Sequence, residues 1–389
     1  MTTSSQGRKF VPELDVLRGM AAVAMIVNHA GYRLLSPQDA TQSGVSALVF
    51  LGSFAPAIFF FATGFGIGLS HTAEPRPFDW VGVLWKAALL IVADQFFFWS
   101  RGIGLGLDFF SFIAIATVVV SLLSRLRGAV SVSLWLAALL LLTRYGLAPF
   151  WNLPEPPLPF LEWLMGAHGI TSISYPLSPW MCFPLLGFAC GAAYKGVDLT
   201  APPQRHAWLQ RGALFVIVCF ATALGAFLLN RSFLRWGTVS VSYFVLAVGV
   251  VTTAGLLSVM SVVYSQRVSG VLALRGVASF AVIPLHYALL EVVVQLLPQP
   301  SSPLFFVFIV VCVICTTLFG AAKFANCAAA MARASKQTLL HGWLVAVVIL
   351  FSVAIQFSAA MSAACAAAIT LIAQLLIAVL LGMRVPSVR

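Results

Sequence analysis

Apolar runs of membrane-crossing length, separated by short polar stretches, set the pattern of this chain along its length. Twelve can be drawn: Leu14–Leu35, Val45–Ser70, Trp80–Trp99, Leu105–Leu123, Ala129–Tyr145, Pro176–Tyr194, Gly212–Leu229, Gly237–Val263, Gly270–Leu297, Pro303–Ala322, Thr338–Ser358 and Met361–Gly382. A crossing needs about 20 apolar residues. These runs show little two-residue alternation, so helices are expected rather than the strands of an outer-membrane barrel. The predicted fold is an all-α polytopic membrane bundle of twelve helices, one domain over residues 1–389. Only Ser358–Ser362 divides the last two runs, and merging them would leave eleven.

Basic residues supply the orientation. With the amino terminus cytoplasmic, seventeen Lys and Arg fall on the cytoplasmic side, and five (Arg33, Arg101, Arg144, Arg231 and Arg235) fall on the other. That asymmetry is the one that sets membrane topology. Composition agrees: with 61% hydrophobic and 8% charged residues, the chain is neither soluble nor disordered. A net charge of +11 would suggest nucleic acid in a soluble protein. Here the charge sits in short loops, so membrane lipids are the expected partners and nucleic acid is not.

The seven cysteines lie nearly all within apolar runs, which argues against a disulfide framework or a metal site. The Cys312–Cys315 C-x-x-C spacing, inside one such run, reads as packing. A cleaved signal peptide is not expected, because the first run carries Asp15 and Arg18. Two connections stand out. Residues 149–175 form a Pro-rich non-cytoplasmic loop, read either as a mouth for a polar acceptor or as a cap over helix ends. Residues 323–337 read as a cytoplasmic surface segment. The expected location is a bacterial cytoplasmic (inner) membrane, with the oligomeric state open.

The first run holds the most informative chemistry. At 100° per residue, Arg18 and His29 point within about 20° of one another, and Asp15 lies about 60° from Arg18 on the same side. Asp15, Arg18, Ala22, Met25 and His29 therefore form one stripe. His29 is about 16 Å deeper than Arg18, near the middle of a core about 30 Å thick. An imidazole at that depth is costly unless it faces a polar cavity or a partner, which makes it a functional candidate. The structural alternative is a histidine tying two helices together.

A second segment repeats the first. Leu274-Arg-Gly-Val-Ala-Ser-Phe-Ala-Val-Ile-Pro-Leu-His286 matches Leu17-Arg-Gly-Met-Ala-Ala-Val-Ala-Met-Ile-Val-Asn-His29 at seven of thirteen positions, Arg-Gly and His included. Both would run outward from the cytoplasm with Arg at the near edge. Pro284 is expected to kink or loosen the helix before His286.

These residues give the chain a resemblance to the membrane acyltransferases of the acyltransferase-3 type and their glucosaminide N-acetyltransferase relatives. Glu13, Leu14, Asp15, Leu17, Arg18, Gly19 and His29 fall on that family's first-span motif, and Phe59-Phe60-Phe61-Ala62-Thr63-Gly64-Phe65 on its second, with Thr for Ser. Gly276, Ser279, Phe280 and His286 occupy the late Gly-x-x-Ser-aromatic…His positions. The Tyr175–Gly187 stretch, with Trp180, looks like the Pro-Trp-to-Gly segment of the glucosaminide branch. In place of the paired arginines often found after the second span, only Arg76, Arg101 and Lys86 occur nearby.

The resemblance implies transfer of an acyl group, acetyl above all, from cytoplasmic acyl-CoA to a hydroxyl or amine of a carbohydrate or lipid-linked acceptor. His29 is the expected base, with Arg18 held by Glu13 or Asp15 as the phosphate or carboxylate binder. Arg76 and Lys86 are further donor-binding candidates, and His286, Ser279, Asp94 and Trp180 are acceptor-side or supporting ones. Asp94 is expected to orient a histidine or to pair with a basic residue. Donor and acceptor would approach from opposite sides and meet near His29, with no metal involved. A multi-pass transporter or flippase using His, Asp and Arg as a proton relay is the rival reading.

Overall fold

The computed structural model describes residues 11–36, 43–71, 79–100, 106–147, 163–164, 173–197, 201–229, 239–297, 302–334, 342, 346–347, 349 and 363–382. Its helices are α1 (Pro12–Leu34), α2 (Ser43–Gly52), α3 (Ala55–Ser70), α4 (Trp80–Ser100), α5 (Phe109–Leu123), α6 (Ala129–Leu141), the short turn α7 (Leu177–Trp180) and α8 (Cys182–Tyr194). The remainder are α9 (Pro202–Leu229), α10 (Val241–Tyr264), α11 (Gln266–Leu272), α12 (Val277–Leu296), α13 (Pro303–Ala334) and α14 (Ala363–Gly382). Among the described residues nine helical stretches are long and apolar enough to cross a membrane, α2 and α3 counting as one. The chain is thus an all-α polytopic membrane protein, as its apolar pattern dictates once every backbone group must bond internally.

Several boundaries differ from the sequence expectation. The second run breaks at Ser53–Phe54 into α2 and α3, and the Tyr243 hydroxyl of α10 donates to the Ser53 carbonyl at 2.9 Å, satisfying an acceptor that the break exposes. α9 begins at Pro202, ten residues before the expected Gly212, because its first turns are polar. Residues 323–334 are helical and continue α13. α12 runs unbroken over Pro284, although that residue lacks the N–H that would have bonded the Phe280 carbonyl. Most of 149–175 and most of the Thr338–Ser358 run lie outside the described residues.

Two features position the site. α3 and α8 interlock through glycines: a Cβ at Gly64 or Gly68 would collide with the Pro184 or Phe188 carbonyl, and one at Gly187 or Gly191 with that of Phe61 or Phe65. This reciprocal small-xxx-small contact brings the two backbones together. α1 occupies the centre, packed on α2, α3, α10, α11, α12 and α13. Gly19 faces the Leu272 carbonyl with no room for a side chain, so α1 meets the segment leading into α12 backbone to backbone.

A histidine ladder beside a membrane cavity

α1 and α12 run parallel, joined by polar rungs at three levels. At one end the Asp15 carboxylate takes Arg18 on one oxygen at 3.0 Å and Arg275 on the other at 3.6 Å. The Leu274 N–H also donates to the Asp15 carbonyl at 3.0 Å. In the middle His29 Nδ1 meets His286 Nε2 at 2.8 Å. At the far end Arg33 pairs with Glu291 at 3.6 Å. The two Arg-x10-His segments of the sequence thus lie side by side, arginine with arginine around one acid and imidazole with imidazole.

The middle rung has a defined hydrogen-bond direction. A carbonyl oxygen only accepts, so the 2.8 Å contact of His286 Nδ1 with the Val282 carbonyl places the proton on Nδ1. His286 is fully buried, where an unpaired cation would be costly, so its Nε2 carries a lone pair. That nitrogen accepts from His29 Nδ1–H, which leaves His29 Nε2 as a lone pair that receives the Tyr287 hydroxyl at 3.3 Å. The His29 and Tyr287 rings stack with centroids 4.8 Å apart. His29 Nε2 is therefore basic and oriented, as a general base requires.

His29 lies on the wall of a cavity of about 330 Å³ whose lining includes the exposed Tyr32 and Arg33 of α1, within the size range of small-molecule sites. The break between α2 and α3 contributes Ser53, Ala55 and Pro56 to that wall, and Asp94, Asp108, Tyr175 and Gln374 face it from other elements. Burial, followed by the negative charge of Asp108, pushes the Tyr175 hydroxyl well above its usual range, so it remains a proton donor.

Asp94 departs from its expected role. Its buried carboxylate accepts the Asp108, Phe110 and Ser111 backbone N–H groups at 3.0, 3.2 and 2.7 Å. It therefore closes the amino-terminal turn of α5, where an anion also suits the helix dipole, rather than orienting a histidine or pairing with a base. Gln374 of α14 donates to the Ala93 carbonyl at 3.0 Å and buttresses the same place.

The other sequence candidates scatter. Arg18 and Asp15 form the end rung, and the Tyr194 hydroxyl donates to Glu13. Ala22 and Met25, between Arg18 and His29 on the stripe, are buried, and the cavity is lined by Met25 and His29 but not by Arg18 or Ala22. Along the stripe the fully buried Ala22 separates Arg18 from the Met25–His29 stretch of the cavity wall. Trp180 is buried in an aromatic core with Phe60, Tyr175 and Phe183, and the Ser279 hydroxyl donates to the Gly276 carbonyl in the first turn of α12. Lys86 is exposed on α4, and Arg76 lies outside the described residues. Tyr287, Asp108 and Arg275 are not site candidates on sequence alone, where Asp108 reads as lining a loop, Tyr287 as sharing a face with Glu291, and Arg275 as the counterpart of Arg18 in the Arg-x10-His register. Among the described residues no group of three or more His, Cys, Asp or Glu is arranged to hold a metal.

Comparison with known proteins gave one family. The family described as Heparan-alpha-glucosaminide N-acetyltransferase, catalytic, matches residues 11–220. That stretch contains α1 to α8 and the His29 half of the ladder, and it ends before α12. No curated protein and no solved structure matched the chain.

Proposed function

As the chain belongs to the heparan-alpha-glucosaminide N-acetyltransferase catalytic family, with more than half of its length matched, we propose that it transfers an acetyl group from acetyl-CoA to the amine of a glucosaminide at the membrane. The observation that carries this reading is the cavity-facing lone pair of His29 Nε2, fixed from behind by His286 and the Val282 carbonyl.

In the proposed reaction His29 Nε2 takes a proton from the acceptor nitrogen as that nitrogen attacks the thioester carbonyl. The positive charge gained by the ring is supported through Nδ1–H by the lone pair on His286, a neutral counterpart of the acid in a catalytic triad. Collapse of the tetrahedral intermediate breaks the C–S bond, and the thiolate recovers a proton from the imidazolium. The amino-terminal end of α3 borders the cavity at Ala55 and Pro56, where its dipole favours the negative charge that develops on the carbonyl oxygen. Tyr287 holds the free base in place until the acceptor displaces its hydroxyl.

Arg18, now with Arg275 beside it, is the proposed cation for the donor's phosphates, and Arg76 and Lys86 are outlying ones. The arginine rung lies about 16 Å along α1 from His29. Donor access from that end, which is the cytoplasmic side if the amino terminus is inside, requires the α1–α12 seam to part beside Ala22. The transporter reading is not favoured, since the matched family is one of acetyltransferases.

The test uses the purified full-length chain in detergent or nanodiscs with acetyl-CoA and methyl α-glucosaminide, following free thiol and N-acetylated sugar. His29→Ala is expected to lower kcat by a factor on the order of 10²–10⁴ while the protein remains monodisperse. Uptake of the sugar by sealed vesicles with no thiol release would overturn the reading.

A further inference from the structure

Asn28 sits one position before His29 on α1, and both line the cavity. The two side chains turn to different walls. His29 is tied to His286 and Tyr287 of α12, whereas Asn28 Nδ2–H donates to the Val49 carbonyl of α2 at 3.0 Å. That carbonyl needs a donor because α2 ends at Gly52 and the Ser53 N–H goes to the Phe50 carbonyl instead. Gly52 fits here only without a side chain, since a Cβ would collide with the Asn28 backbone nitrogen and Cβ. The amide is thus held from two directions.

Capping α2 uses one Nδ2 hydrogen and leaves Oδ1 unused. Among the described residues Asn28 makes no second side-chain hydrogen bond, and its oxygen is not one of the sealed polar atoms that lack a partner. Oδ1 therefore keeps access to open space, and the space that Asn28 borders is the cavity. Of the residues that the α2–α3 break brings to the lining, Gly52, Ala55 and Pro56 have no polar side chain, and the Ser53 hydroxyl lies 3.5 Å from that of Tyr243. An amide oxygen in this largely apolar wall suits a ligand that brings an O–H or N–H of its own.

We infer that Asn28 Oδ1 accepts a hydrogen bond from the hydroxyl next to the reacting amine, and so selects a vicinal amino alcohol, the arrangement found in a 2-amino sugar, over an amine without that hydroxyl. The inference rests on the proposed acetyl transfer, which puts the amine at His29 Nε2, and adds the residue that reads the amine's neighbour. Two contacts from adjacent residues of one helix, one to each substituent, fix the direction of the nitrogen lone pair. The hydroxyl hydrogen stays on its oxygen throughout, so the contact orients the sugar and does no chemistry.

The experiment compares methyl α-glucosaminide with its 3-deoxy analogue, which lacks only the hydroxyl beside the amine, on the full-length protein. Wild type should favour the parent sugar by about three- to tenfold in kcat/KM, the range for one neutral hydrogen bond, and Asn28→Ala should bring the ratio close to one. Loss of the α2 cap alone would slow both sugars alike and leave the ratio where it was. Calorimetry without acetyl-CoA should show the same preference in the wild type and its loss in the variant. A wild-type ratio of one, which needs no variant to fold, or a ratio unchanged by Asn28→Ala, would overturn the inference. An Asn28-dependent preference in binding with no thioester consumption would uphold the contact and defeat the acetyl-transfer reading instead.

Discussion

Replacing His286 tests the ladder most directly. In His286→Leu, a change of similar bulk, His29 Nδ1–H loses its 2.8 Å acceptor and the Val282 carbonyl loses a donor. Leaving a buried donor unsatisfied costs about 1–3 kcal/mol of stability, which a lowered Tm would register. The catalytic loss is separate. A hydrogen bond from a charged imidazolium is worth about 1.5–3 kcal/mol, and if that support exists only once the ring is protonated, kcat should fall by about 10- to 150-fold. KM for either substrate should move far less, because His286 does not line the cavity. His286→Gln, whose amide oxygen can accept from Nδ1–H, should recover much of kcat. The measurement is kcat and KM by thiol release, with Tm as the control for folding. A folded His286→Leu protein with kcat within twofold of wild type, or Leu and Gln variants that behave alike, would refute the relay.

Two further substitutions address the scaffold. Asp94→Asn keeps one good acceptor oxygen but turns an amide toward backbone N–H groups now held by a carboxylate, so a loss of about 1–3 kcal/mol is expected. Faster hydrogen exchange at the first turn of α5 would check it. Gly187→Val places a side chain against the Phe61 carbonyl; overpacking of that kind costs about 1–3 kcal/mol, read as a fall in Tm, and an unchanged Tm would argue against the close α3–α8 contact.

The bundle was legible because hydrocarbon leaves the backbone few options, and eleven of the twelve runs correspond to helices among the described residues. His29 was legible because an imidazole at mid-depth needs a reason. Its partner could be suspected only through the Arg-x10-His repeat, since the two rings are 257 residues apart and single-helix geometry carries no information across that distance. Asp94 was recognisable as a buried acid, yet its partners are backbone N–H groups, which have no signature in side-chain identity. Trp180 looked like a site residue from its motif and is a core residue by packing. The break at Ser53–Phe54 was hidden inside a continuous apolar run, because the hydroxyl that stabilises it belongs to Tyr243 on another helix.

The ladder is made from an early and a late piece of the polypeptide. Its first rail leaves the ribosome long before its second, so during biosynthesis a half-inserted chain holds an imidazole in lipid with no companion ring. The His29–His286 pair, and with it the proposed reactive centre, is consequently complete only when the membrane-insertion machinery has delivered both rails.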